Sequence, residues 1–137
     1  MCRPRAQAGS LTQSRAVQLR ALRGAITVEE NDANAILAAT EELVTEVVER
    51  NAIPPEHMVS CIFTCTADLD AEFPAVAARN LGMSGVPLLC AREMQVPGSM
   101  PRVIRLLLHY YGDPDDRQTH VYLRDAITLR RDLEGAQ

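Results

Sequence analysis

Between Asn31 and Asn51, the residues Ile36, Leu37, Thr40, Leu43, Val44, Val47 and Val48 recur at steps of three and four. That spacing collects them on one stripe of a helix, and a helix with one apolar stripe must bury it against another layer. Asn31 or Asp32 can cap its start, and Pro54-Pro55 breaks it. Glu41, Glu42, Glu46 and Glu49 fall mostly off the stripe and read as a solvated face rather than as paired catalytic acids.

Strand-like runs on either side supply the second layer. Val17 to Leu22 alternates in character and reads as a strand, with Gly24 permitting a sharp exit. Met58 to Thr66, rich in Val, Ile, Phe and Cys, reads as a buried strand. After the polar loop Ala67 to Glu72, Pro74 fits the first turn of a short helix, PAVAARNL, stopped by Gly82. Val86 to Cys90 is a third strand. Pro101 is expected to open a third helix reaching about Tyr111, and Gly112 ends it. Thr119 to Leu123 and Ala126 to Leu129 read as two closing strands.

The resulting order, β-α-β-α-β-α-β-β, predicts an α+β fold with a mixed sheet of about five strands and helices on one face. The other sheet face stays apolar and uncovered, so self-association is expected. At 137 residues the chain is expected to hold one domain, spanning 17–133. Met1 to Ala16 carries Arg3, Arg5 and Arg15 with no acid, and reads as a disordered extension; 134–137 reads as a flexible tail.

Composition narrows the chemistry. The net charge of −4 argues against a nucleic-acid partner, which calls for a basic face. All 14 cations are arginine, which excludes a Schiff-base lysine and a P-loop lysine. Arginine keeps its charge and offers a planar fork suited to carboxylates. Cys2, Cys61, Cys65 and Cys90 form no CxxC pair, so no metal site is expected. Cys61 and Cys65 read as small buried hydrophobes, and reduced thiols suit a cytoplasmic protein. No apolar run reaches 18 residues, so no membrane span is expected.

One stretch concentrates reactive side chains. In VPLLCAREMQVPGSMPRVIR, Val86 to Arg105, a strand ends in Cys90, Glu93 follows three residues later, and a Pro-Gly-Ser-Met-Pro loop leads to Arg105. A thiol, a carboxylate and a guanidinium are thereby expected around one strand–loop–helix corner. Arg23 closes another apolar run. By pattern alone, Arg23 is a surface arginine or a ligand group, Arg105 a polar-face or a desolvated arginine, Cys90 a buried thiol, and Tyr122 a half-buried aromatic. His120 reads as structural, and Ser99 lacks a nucleophile-elbow context.

With RGAITVEEN upstream and the HVYL and LRRDL segments downstream, the chain resembles the small monofunctional chorismate mutases, the Bacillus-type class that forms pseudo-α/β-barrel homotrimers. The resemblance implies conversion of chorismate to prephenate, by an intramolecular Claisen rearrangement on the route to phenylalanine and tyrosine, with no cofactor or metal. It implies a site at each subunit interface. There Arg23 holds a substrate carboxylate, Arg105 meets the ether oxygen, Glu93 and Cys90 face the ring hydroxyl, and Tyr122 donates a hydrogen bond. Phe73, Ala75 and Arg79 would come from the neighbouring subunit, and Leu129 and Arg130 would form a C-terminal lip. Leu89 stands where some relatives have threonine, and Val76 where some have lysine, which removes one cation from the mouth. The competing readings are a non-catalytic trimeric module for small carboxylates, and a different enzyme such as an enamine deaminase on a similar scaffold.

Overall fold

A computed structural model describes residues 16–130. The expected N-terminal extension, apart from Ala16, and the expected 134–137 tail lie outside the described residues. The chain folds as β1 (Gln18–Thr27), α1 (Ala33–Asn51), β2 (Met58–Cys65), α2 (Pro74–Asn80), β3 (Leu88–Arg92), β4 (Val103–Gly112) and β5 (Val121–Leu123), with short 3-10 turns between them. The five strands form one mixed sheet in the order β3-β2-β4-β1-β5. The central pairs, β2 with β4 and β4 with β1, are antiparallel; the outer pairs, β2 with β3 and β1 with β5, are parallel. No helix among the described residues is long and apolar enough to cross a membrane.

The apolar stripe of α1 behaves as its spacing requires. Asp32 caps the helix by accepting from the Ala35 N–H at 3.0 Å. Ile36, Ala39, Leu43, Val44 and Val47 are buried against one face of the sheet, where they meet Leu22, Ile26, Phe63, Ile104 and Leu106. Ala75 and Ala78 of α2 join the same core. Both helices therefore cover one sheet face, as expected.

Three segments differ from the sequence reading. The segment from Pro101 to Tyr111 is not a helix; most of it is β4, the strand between β1 and β2 in the sheet. Burial alternates along it, with Ile104, Leu106, Leu108 and Tyr110 in the core and Arg105, Leu107, His109 and Tyr111 turned away. A leucine-rich run bounded by Pro and Gly fits either period, and here the hydrogen-bonding edges of both neighbours decide it.

Gly24 does not end its strand. It lies in the middle of β1, where α1 approaches so closely that a Cβ would sit 3.1 Å from Leu43 Cδ1 and 3.2 Å from Val47 Cγ2. The strand continues to Thr27.

Ala126 to Leu129 is not a strand either. Arg124 adopts a left-handed φ of 55°, turning the chain into a 3-10 turn at Arg124–Ala126 and a helical turn at 127–130. The side chain of Arg124 holds this turn down, through Glu42 Oε1 at 2.8 Å and the Thr27 carbonyl at 3.1 Å.

Candidate active site

The sheet face away from the helices carries two rows of side chains, fixed by strand register. In the first row Ala91, Thr64, Arg105, Ala25 and Tyr122 lie side by side across all five strands. In the second, Leu89, Ile62, Leu107 and Arg23 follow in the same way. Leu89 is 60% exposed, and most of this face has nothing over it among the described residues. One end is covered: Tyr122, Leu129 and Met100 pack around Ala25, Val103 and Ala126.

Glu93 lies just past β3, its backbone N–H bonded to the Cys65 carbonyl at 2.9 Å. That connection returns its side chain to the open face. Arg105 Nε reaches Glu93 Oε2 at 3.2 Å, and Thr64 Oγ1 donates a hydrogen bond to the same oxygen. The guanidinium remains half exposed. A cleft of about 550 Å³ opens beside the pair, lined by Glu93, Met94, Ser99, Met100, Arg105 and Leu129. The expected strand–loop–helix corner is thus a strand–loop–strand corner, with Arg105 projecting from a rigid strand.

Arg23 stands on the same face one row away. Its backbone N–H donates to Nδ1 of His120 at 3.0 Å. That bond requires the Nδ1 lone pair, so the imidazole is neutral, with its proton on Nε2. Burial lowers the pKa of His120 from its ordinary value, and the nearby charges of Arg23 and Arg130 lower it further. Arg23 and Arg130 therefore both act on one imidazole, which places cationic charge at this end of the face.

The other expected site residues lie elsewhere in the same chain. Phe73, 67% exposed, precedes α2, and Arg79 is exposed in its last turn. Both belong to the helix layer, as does half-buried Val76. The Ala75 side chain is buried in the core, so only its backbone could meet a ligand. The register pairs Cys90 with Phe63, and its side chain packs against the helix-side core beside Cys65. Within one chain the structure therefore does not bring Cys90 together with Glu93; the thiol lines a separate recess of about 370 Å³ with Cys65, Glu72, Phe73 and Arg92. Burial, and then the neighbouring Cys90, push the thiol of Cys61 up to about 12 and that of Cys65 up to about 11, so both stay protonated and unreactive at neutral pH.

Two neighbours of these residues are not apparent from the sequence. Thr64 looks like an ordinary β-branched strand residue, and only register reveals that it faces Arg105. His120 reads as structural from its sequence context; its position beside Arg23 depends on the parallel pairing of β5 with β1.

The His120 contact has a measurable consequence. The unfolded chain protonates this imidazole near its ordinary pKa, whereas the folded chain resists protonation. Its stabilising contribution is therefore complete above the unfolded value and declines as pH falls through the lower, folded value. His120→Gln keeps an acceptor for the Arg23 N–H but gains no proton. Between about pH 7 and 5, its Tm should fall less steeply than that of the unsubstituted protein. Parallel Tm profiles would contradict this assignment.

The mixed sheet, backed by two helices, carries two arginines and a carboxylate on its open face, and arginine offers a planar fork of donors that suits anionic groups. The chain belongs to the chorismate mutase type I family, whose model matches residues 19–133. It is 55% identical over 121 residues to chorismate mutase AroH of Thermus thermophilus, covering 87% of this chain and 99% of that protein. It is 40% identical over 119 residues to chorismate mutase AroH of Bacillus subtilis, covering 85% of this chain and 94% of that protein. Among solved structures it superposes on a chorismate mutase from Clostridium thermocellum with a TM-score of 0.75 at 43% identity, covering 80% of this chain and 98% of that one. The protein is a chorismate mutase, an isomerase acting on chorismate.

Proposed function

We propose that chorismate rearranges to prephenate in a cleft between two chains of a homotrimer, one sheet's open face meeting the α2 end of its neighbour. The observation that carries this reading is the convergence of Arg23, Glu93 and Arg105 on the open face, while Phe73 and Arg79 lie in the helix layer. Residues on opposite layers can join one site only through a second copy. The apolar open face, with Leu89, Ile62 and Leu107 in one row, supports burial by that copy. The functional unit spans 17–133. The free thiols of Cys61, Cys65 and Cys90 support a reducing compartment, the cytoplasm.

The reaction breaks a C–O bond as a C–C bond forms, within one molecule and without proton transfer. Two physical effects carry it. Arg23, with Arg79 of the neighbour and Arg130, holds the two carboxylates and selects the folded conformer, which removes an entropic part of the barrier. Arg105 places a fixed positive charge where negative charge grows on the ether oxygen. Glu93 accepts a hydrogen bond from the ring hydroxyl, Tyr122 donates to the substrate, and Leu89 and Leu129, with Cys90 of the neighbour beside its Phe73, shape the walls. With Val76 in α2, these contacts hold the substrate without a lysine at the mouth.

Arg23→Ala tests the clamp. Losing a hydrogen bond to a charged group costs about 1.5–3 kcal/mol, so kcat/KM should drop about 10- to 150-fold. Because a clamp acts on bound substrate and on the transition state alike, most of that loss should appear in KM. Unchanged KM and kcat on following the loss of chorismate absorbance would overturn the assignment.

A further inference from the structure

A hydrogen bond and an ion pair meet on one oxygen of Glu93. Thr64 Oγ1 and Arg105 Nε both contact Oε2, from directly opposed positions on β2 and β4. Glu93 Oε1 has no hydrogen-bond partner among the described residues. A carboxylate beside an arginine ordinarily pairs through both oxygens, fork to fork. Here the hydroxyl of Thr64 takes one lone pair of Oε2 from the neighbouring strand, and Arg105 approaches that same oxygen through Nε.

We infer that Thr64 is a positioning residue: by holding Oε2 it prevents Glu93 and Arg105 from closing into a bidentate pair, keeps Oε1 free to accept the substrate's ring hydroxyl, and leaves the outer nitrogens of Arg105 free for the reacting bond. This rests on the reading that Glu93 and Arg105 form the active site. Nothing in the strand itself calls for a hydroxyl at this position, since valine has the same shape and suits a strand. Thr64 is partly buried, and its hydroxyl engages an ionised partner, the stronger kind of hydrogen bond.

The test is a mutant cycle on chorismate turnover. Thr64→Val should lower kcat/KM by about tenfold, while Thr64→Ser, which keeps the hydroxyl, should stay within about threefold of the unsubstituted protein. In a Glu93→Ala background, Thr64→Val should change kcat/KM by less than about twofold, because the group it positions is gone. A merely structural role would give the same loss in both backgrounds, and that result overturns the inference, as does full activity of Thr64→Val in the native background. Should Thr64→Val fail to fold, Thr64→Ala carries the same expectations. If Glu93→Ala alone leaves turnover intact, the active-site reading fails and the inference with it. If Glu93→Ala is damaging and Thr64→Val silent, only the inference fails.

Discussion

Replacing Arg105 with citrulline will lower kcat by about 10²–10³-fold and change KM far less. Citrulline has nearly the same shape and keeps the Nε–H, so the contact with Glu93 Oε2 at 3.2 Å survives in the variant. What disappears is the charge. In bound chorismate the ether oxygen carries little negative charge; in the transition state it carries much more. An interaction that strengthens along that path lowers the barrier without tightening ground-state binding. Loss of one preorganised donor at such a position costs about 2.7–4 kcal/mol, which sets the expected range. The strand placement of Arg105 strengthens the expectation. Its Cα is fixed by β1 on one side and β2 on the other, so the guanidinium is aimed before substrate arrives. Lysine at this position should rescue poorly, because its ammonium lacks the fork that reaches Glu93 and substrate together. Near-normal turnover by the citrulline protein would place catalysis in conformer selection by the other arginines.

The elements that carry their own periodicity were legible in the sequence. The seven-residue stripe of α1 and the Pro74 start of α2 depend on local spacing, and both helices form where that spacing predicts. The segment 101–111 was not legible. An apolar run of that length satisfies a helix and a buried strand equally, and only pairing with both β1 and β2 makes it β4. Gly24 misled in a related way: its missing side chain serves the close approach of α1 and does not mark a turn. Five strands form as expected in number, but β4 replaces Ala126 to Leu129 as a member of the sheet. For the candidate site, the motif order pointed to Arg23, Glu93 and Arg105 as a set. Their grouping on one face, the rotation of Cys90 to the other, and the approach of Thr64 to Glu93 all follow from register between strands distant in sequence. No local pattern encodes that register.

The central claim is that each site is completed by a second chain, and subunit mixing tests it most directly. Arg79→Ala removes a cation from the α2 layer; Arg105→Ala removes one from the open face. Each variant alone should be nearly inactive, since every interface lacks one arginine. When the two are unfolded together, or coexpressed in equal amounts, hybrid trimers contain interfaces at which an intact Arg105 from one chain meets an intact Arg79 from the other. Random assembly puts both arginines at about a quarter of the sites. The mixture should therefore turn over chorismate at about a quarter of the unsubstituted rate, well above either parent. A mixture no more active than its parents, with hybrid trimers present, would mean that Arg79 and Arg105 do not serve one shared site and would contradict the two-chain account.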